Sequence, residues 1–320
     1  MTASRRDFLL WGTGAFASLA LGSAWSQAPA NLGTASLPAT GWRRLSLGSA
    51  EVLALNDGVV RRPLGEEFVR NAPLDQVKAV LASQQLPTEY IDVPYNAFVM
   101  VVGGKRVLID TGFADNGPPN TGKLLENLRL AGLEARDIDV VLLSHLHGDH
   151  VSGLRRKDGS LVFPQAQVMV PTPEYDFWMD PQRMAAASPA ARGGFANVHR
   201  VLDNYPADKL HRFTPGDRLL NTIESTAAFG HSPGHTLFTL RGSQSSFTYI
   251  ADAAHYPALF VRNPDWQVQF DMNAEMARVS RRAVLAKAAS DQAIVGGYHF
   301  PFPALGRIKV EEGGYAFEAS

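Results

Sequence analysis

The 320-residue chain contains no cysteine. Disulfides, thiolate ligands and a thiol nucleophile are therefore excluded together, and any metal has to be held through nitrogen and oxygen. Charge is sparse as well: Asp, Glu, Lys and Arg make up 19% of the residues, and 30 basic groups against 31 acidic ones leave a formal charge of -1. No dense run of Lys or Arg stands in the body of the chain, so the electrostatic footprint of a nucleic-acid binder is missing. Composition likewise gives no sign of a clamp for an anionic substrate, which Lys or Arg would have to provide. Beyond the N-terminal stretch no segment is long and apolar enough to span a bilayer, which takes ~20 residues. There is no internal repeat of fixed period and no Ser-x-x-Lys nucleophile pattern. What is present is an ordinary globular composition, 45% hydrophobic, enough for one large domain or two small ones.

Residues 1–26 do not read as part of the fold. Ser4-Arg5-Arg6-Asp7-Phe8-Leu9 precedes a moderately apolar stretch rich in Gly, Ala and Ser, which ends in a small-residue cleavage pattern at Ala24-Trp25-Ser26. The paired arginines resemble the twin-arginine export signal, with Leu10 where that pattern often has Lys. The expected location is the periplasm or the outside of the cell, with no stable membrane insertion once the signal is removed. Residues 27–40 read as a loose linker and 41–320 as the folded domain.

Periodicity orders that domain. "EVLALNDGVV" and "YNAFVMVVGGKRVLID" read as strands, the second a hairpin turning at Gly103-Gly104. Leu74, Val77, Val80 and Leu81 fall at helical spacing behind Pro73, and Leu124, Leu125 and Leu128 mark a second helix that stops at Gly132. Val140 to Leu143 is a short buried strand. Residues 171–208 carry Pro, Ala and aromatic residues without strand period and read as short helices and loops. Strand patterns return at "TIESTAAF", "HTLFTLRG" and "SFTYIAD", a helix is expected over 273–289, and "AIVGG" precedes a closing hairpin, "RIKVEEGGYAF". The order implies an α/β chain of α+β type, with mixed sheets covered by helices.

The chemistry concentrates directly after the Val140 strand, where "SHLHGDH" sets His145, His147, Asp149 and His150 within six consecutive residues. Burying so many polar groups without partners is costly, and a metal is the partner that suits nitrogen and oxygen donors packed this tightly. His145 and His147, two apart, face one side of an extended segment; Asp149 and His150 need a turn, which Gly148 permits. One loop thus offers two facing groups of ligands. Comparable positions just past strands hold His235 in "HSPGHT", Asp252 in "YIADAAH" and His299 in "GGYHFPF". Asp110 reads either as orienting a ligand histidine or as a turn residue of "DTG". His231 and His255 read as support or plain structure, and His199 and His211 as ordinary. Among the loop aromatics, Trp178 and Phe300 are expected to line an apolar pocket.

The His-x-His-x-Asp-His run at 145–150, the later Gly-His, the Asp past a strand, the late His, and "VLIDTG" at Val107 to Gly112 together resemble the metallo-beta-lactamase fold hydrolases. The resemblance runs from about Val52 to the C-terminus, and the chain is most similar to the N-acyl homoserine lactonase and methyl parathion hydrolase branch. It implies a four-layer αββα sandwich, two mixed sheets inside and helices outside, with the site at one edge. It also implies that His145, His147 and His235 hold one metal, that Asp149, His150 and His299 hold the other, and that Asp252 bridges them, with Asp149 and Asp252 as the catalytic carboxylates. On that layout two divalent ions, zinc foremost with manganese, iron or cobalt also suited to the donors, would hold a hydroxide that attacks an ester-like bond. The implied substrate is a small molecule, a lactone such as an acyl homoserine lactone or an aryl ester. Organophosphate triesters are the alternative, and mononuclear iron persulfide dioxygenase chemistry a further one. Expected partners are that substrate and, at most, a second copy of the chain in a homodimer.

The export reading has a direct check. Replacing Arg5 and Arg6 with Lys is expected to leave the uncleaved precursor inside the cell. Cell fractionation decides it, and an uncleaved wild-type chain in the cytoplasmic fraction of its own host would remove the idea.

Overall fold

The computed structural model describes residues 32–320. The expected signal peptide and the first part of the expected linker lie outside the described residues; residues 32–40 form neither helix nor strand. Strands β1 (Trp42–Ser46), β2 (Glu51–Pro63), β3 (Tyr90–Val102), β4 (Lys105–Ile109), β5 (Val140–Leu142), β6 (Gln167–Pro171) and β7 (Leu210–Phe213) form one sheet in that spatial order. Strands β8 (Arg218–Leu219), β9 (Ile223–Ala227), β10 (Thr236–Arg241), β11 (Ser246–Ala251), β12 (Ile294–Gly297), β13 (Leu305–Glu311) and β14 (Gly314–Ala319) form the other. In the first sheet β1 to β4 pair antiparallel and β4 to β7 parallel. In the second, β11 and β12 make the parallel pair within an otherwise antiparallel sheet. The helices are α1 (Leu74–Ser83), α2 (Leu124–Leu130), α3 (Gly148–Val151), α4 (Thr172–Trp178), α5 (Pro181–Ala186), α6 (Pro189–Leu202), α7 (Pro257–Phe260) and α8 (Ala274–Asp291).

Strand alternation builds the layers. Val52 and Ala54 of β2, Phe98 and Met100 of β3, and Val107 and Ile109 of β4 join Phe238, Leu240, Phe247 and Tyr249 of the second sheet in one buried core. Their chain neighbours Leu53, Leu55, Val99 and Leu108 pack instead with Leu124 and Leu128 of α2 and Phe195, Val198 and Val201 of α6. A side-chain period of two sends successive residues to opposite faces, so apolar residues at both parities give a sheet buried on both sides. On the far side, Val284 and Ala288 of α8 cover the second sheet, lining with the outward Leu237 and Thr248 a cavity of about 270 Å³. The result is the expected αββα sandwich. One element exceeds expectation: the region read as short helices and loops contains α6, a 14-residue helix. Gly193 and Gly194 depress helix propensity there, but Ser188 caps the N-terminus, accepting from the Ala191 N–H, and a buried stripe of Phe195, Val198, Val201 and Leu202 stabilises the rest.

A bulge in β2 between Asn56 and Gly58 fixes the loop that borders the future site. The Asp57 carboxylate there accepts from the backbone N–H groups of Phe113 at 3.0 Å, Gly122 at 3.3 Å and Leu124 at 3.0 Å. Gly112, at φ +63°, passes so close that a Cβ would lie 2.4 Å from the Asp57 carboxyl carbon, so this position takes only glycine. Asp57 is fully buried. Burial pushes its pKa up, the three N–H donors pull it down, and the balance stands at about 7. In the unfolded chain the same group would release its proton near the ordinary aspartate value of ~3.9. Between those values the folded chain binds the proton and the unfolded chain does not, so stability falls as pH rises toward 7 and the fall levels off above it. Melting temperatures at pH 5, 6, 7 and 8 should therefore decline more steeply for the wild type than for Asp57→Asn; equal slopes would release Asp57 from this role.

Candidate metal centre

Strand ends deliver the donors. Past β5 the chain runs through His145 to His147, whose extended backbone (φ -65°, ψ 155°) is the N-cap of α3, so Asp149 and His150 leave from the first helical turn. Gly148 is not required for this turn. A Cβ there would meet only Asn197 Nδ2 at 3.5 Å and Ser152 Oγ at 3.9 Å, ordinary contact distances. Asp252 follows β11 through Ala251, whose φ of +45° and shifted register make a strained bend at the strand end. His299 lies just past β12, and His231 in the turn that leads from β9 to β10.

These groups converge in two sets. His147 Nδ1 lies 3.1 Å from His145 Nε2 and 2.9 Å from His231 Nε2. Asp149 Oδ2 lies 3.4 Å from both His150 Nε2 and His299 Nε2. Asp252 stands between the sets: Oδ2 is 3.3 Å from His231 Nε2 and 3.1 Å from His299 Nε2, and Oδ1 is 3.4 Å from His150 Nε2.

The far nitrogen explains the orientation of four of the rings. His150 Nδ1 donates to Asp110 Oδ2 at 2.8 Å, His231 Nδ1 to Asp271 Oδ1 at 3.0 Å, and His299 Nδ1 to the Pro94 carbonyl at 2.9 Å. Ser144 Oγ donates to Asp110 at 2.6 Å, so it accepts from His145 Nδ1 at 3.0 Å. In all four rings Nδ1 is turned to an outer partner and Nε2 faces inward, the arrangement in which outer partners orient metal ligands. Asp110 therefore orients a donor histidine, and it also accepts from Tyr249 Oη at 2.6 Å.

His235 corrects the expectation drawn from resemblance. Its Nδ1 donates to the Ala228 carbonyl at 3.1 Å and its Nε2 accepts from the Asp252 N–H at 3.1 Å. Both nitrogens are spent, and His235 steadies the backbone of Asp252 while His231 takes the place in the donor set. The sequence carries a hint of this: His235 opens the apolar alternation of β10, whereas His231 sits in a loop as the other donors do. Gly230-His231-Ser232-Pro233-Gly234 also spells a Gly-x-Ser-x-Gly pattern, but Ser232 Oγ is buried and donates to Glu174, with no histidine base attached.

Electrostatics describe what the cluster lacks as bare protein. Burial holds His145 well below the ordinary histidine value and, with the His231 charge, lowers His147 to about 3. Burial acts against His150 as well, but Asp149, Asp252 and Asp110 outweigh it and raise it well above. For His231 burial is outweighed by Asp252 and Asp271, which raise it to about 9. Burial would raise Asp149 and Asp252, yet the charges of His150 and His299 hold both below the carboxylate range. The site thus demands positive charge. His150 Nε2 and Asp252 Oδ1 are moreover buried with no hydrogen-bond partner among the described residues. Imidazole and carboxylate donors with orphaned lone pairs facing one another fit divalent cations of the zinc type.

A family model described as the metallo-beta-lactamase superfamily matches residues 90–299. The chain belongs to this superfamily. It is a metal-dependent hydrolase of the metallo-beta-lactamase fold. Among solved structures it is similar to AidC, a dizinc quorum-quenching lactonase in complex with a product, at 28% identity over 88% of this chain and 98% of that one, TM-score 0.78. It is also similar to AbOPH, a hydrolase of the beta-lactamase superfamily, at 26% identity over 89% and 99% of the two chains, TM-score 0.82. An N-acyl homoserine lactone hydrolase with bound N-hexanoyl-L-homoserine shares the fold at 16% identity, covering 79% of this chain and 98% of that one, TM-score 0.56.

The two sets open on a cleft of about 350 Å³ walled by Arg62, Val93, Tyr95, Phe113, His255 and Phe270. Two expected pocket residues are not in its wall. Phe300 is buried against Phe317, ring centroids 4.6 Å apart, and Trp178 lies behind His147, edge-on at 5.9 Å. Composition gave no sign of a cation here because one arginine is invisible in a near-neutral total. Arg62 nevertheless stands in the wall, Nη2 3.5 Å from the Tyr95 hydroxyl. Asp271, its ion-pair partner Arg281 at 2.9 Å, and Glu174 also escape sequence reading, since each acts across a distance in the chain that no local spacing reveals.

His231→Ala is expected to strip metal from its set, whereas His235→Ala keeps the donors and lowers affinity by about 10- to 100-fold. Plasma emission on the purified variants decides it: full metal in His231→Ala beside depleted His235→Ala would reverse the two roles.

Proposed function

We propose that the chain is a dinuclear metallohydrolase, exported to the periplasm or beyond, that opens a neutral ester-like bond, a lactone or an aryl ester. The observation that carries this reading is Asp252, with one carboxylate oxygen against His231 and His299 and the other against His150. His145, His147 and His231 would hold one ion, and Asp149, His150 and His299 the other, with Asp252 shared. Two divalent ions, zinc by donor type, would supply Lewis acidity and lower the pKa of water at the site. The similarity to a dizinc lactonase supports the same assignment.

The chain's own groups bind and orient. Asp110 and Asp271 keep His150 and His231 in the tautomer that offers Nε2. Burial and the neighbouring His299 hold His255 well below the ordinary histidine value, so it stays neutral and can donate one N–H to a substrate oxygen. Its ring is held by stacking on His299 at 4.0 Å and Phe270 at 5.3 Å. Val93, Tyr95, Phe113 and Phe270 exclude water from an acyl chain or aryl group, each buried methylene contributing about 0.8 kcal/mol. Arg62 meets the polar end of such a substrate. A penicillin brings a carboxylate for which the cleft wall, among the described residues, has Arg62 as its cation, while Asp149 and Asp252 stand opposite.

The test compares kcat/KM at equal metal loading for a short and a long acyl lactone, an aryl ester, an aryl phosphotriester and a penicillin. Lactones should rise by up to about fourfold per added methylene while the tail stays in the cleft, the value that ~0.8 kcal/mol corresponds to. A phosphotriester ahead of every ester would move the assignment to the tetrahedral centre, and a penicillin ahead of all would overturn it.

A further inference from the structure

Glu174, on α4, is fully buried, yet it forms no ion pair among the described residues. Four donors surround its carboxylate instead. Oε2 accepts from the Leu146 N–H at 3.0 Å and from Trp178 Nε1 at 2.8 Å. Oε1 accepts from the Gly234 N–H at 2.6 Å and from Ser232 Oγ at 2.5 Å. Burial raises its pKa and these hydrogen bonds oppose that rise. A carboxylate with donors on both oxygens and no cation nearby is expensive to bury unless it holds something in place.

The identity of the four donors says what is held. Leu146 lies between His145 and His147, on the loop that leaves the first sheet. Ser232 follows His231, and Gly234 closes the same turn, at the second sheet. Trp178 rests edge-on against the His147 ring. One side chain therefore bonds to residues that flank all three histidines of one donor set and joins the loops of two sheets that share no strand pairing. The turn approaches so closely that a Cβ on Gly234 would lie 2.7 Å from the Glu174 backbone nitrogen.

We infer that Glu174 is a positioning residue for the His145, His147 and His231 set, keeping the two loops in the register that one metal ion needs. The inference rests on the proposed reading of that set as a metal site. In Glu174→Gln the amide NH2 would face two donors, so either the Leu146 and Trp178 pair or the Ser232 and Gly234 pair loses its acceptor and one loop is released. The other set, Asp149, His150 and His299, forms no hydrogen bond with Glu174 among the described residues and should be unaffected.

Zinc-loaded full-length enzyme is challenged with EDTA and zinc release is followed with a chromogenic zinc dye, alongside thermal unfolding of the metal-free proteins. For the wild type two release phases are expected. In Glu174→Gln one phase should weaken by about 10- to 100-fold, the range seen when an outer partner of a ligand is removed, while the other stays within about twofold. Ser232→Ala, which removes one of four donors and keeps the fold if Glu174→Gln does not, should shift the same phase by less. Release unchanged in both variants, or both phases accelerated equally, overturns the inference, because a general loss of structure would not spare one set. A wild type that binds a single zinc, or a His231→Ala variant that keeps two, would instead defeat the metal reading of the set, and the inference with it.

Discussion

Five imidazole rings and two carboxylates meet at the seam between two apolar sheets with their lone pairs turned toward one another. Nitrogens 2.9 to 3.1 Å apart repel unless a proton or other positive charge lies among them. In bare protein that charge can come from protons, as the raised values of His150 and His231 indicate. A metal supplies it better, because it satisfies several donors at once and displaces those protons on binding. Other features around the centre follow from this need to assemble donors that would otherwise separate.

Four of the donors, His145, His150, His231 and His299, are held by groups that do not themselves belong to the cluster, and those groups come from both sheets. Asp110, at the end of β4, holds His150 directly and His145 through Ser144, and it is itself fixed by Tyr249 of β11. Asp271 holds His231 and is neutralised by Arg281, a fully buried residue that also donates to the carbonyls of Ala253 at 2.9 Å and Trp266 at 2.6 Å. Removing one partner of such a buried pair leaves an uncompensated charge, so the cost would reach His231 itself. The carbonyl of Pro94, on β3, does the same for His299. The sandwich supplies a rigid frame, and these bonds convert its rigidity into the direction of individual lone pairs.

The layers were legible in sequence because they depend on local period. Alternation in β2 and β3 and the helical spacing of Leu124, Leu125 and Leu128 need no knowledge of the partner face, and the dense His145 to His150 run announces itself. What was not legible depends on which way a turn presents its side chains. His231 and His235 occupy the two ends of one turn, four residues apart, and each is a histidine next to a glycine. The choice between them is made by Asp271, some forty residues away, and by the Asp252 N–H that takes up His235. Phe300 follows a donor directly but packs against Phe317 in the core, because the chain turns past β12 and no strand period governs residues 298–300. Trp178 was visible as an aromatic in a loop-rich region, while its service behind His147 came only with Glu174.

The two donor sets also differ in kind, and the difference bears on how the cleft is used. The set of His145, His147 and His231 consists of imidazoles alone, two of them lowered by burial, and is locked from behind by Glu174 and Asp271. The set of Asp149, His150 and His299 includes a second carboxylate besides the shared Asp252, and the Asp149 side chain is 20% exposed where its partners are almost fully covered. An ion in the first set would be more rigidly held and less fully neutralised by its own ligands; one in the second would sit nearer solvent and in a more negative field. Tyr95 packs edge-on against His299 at 5.3 Å and carries the Arg62 contact. Phe113, held by Asp57 through the loop behind it, packs against Tyr95 at 5.0 Å. Tyr95 and Phe113 of the cleft wall are thus built against the second set, and the groups that enforce geometry against the first, so the more negative donor set and the aromatic wall share one side of the cleft.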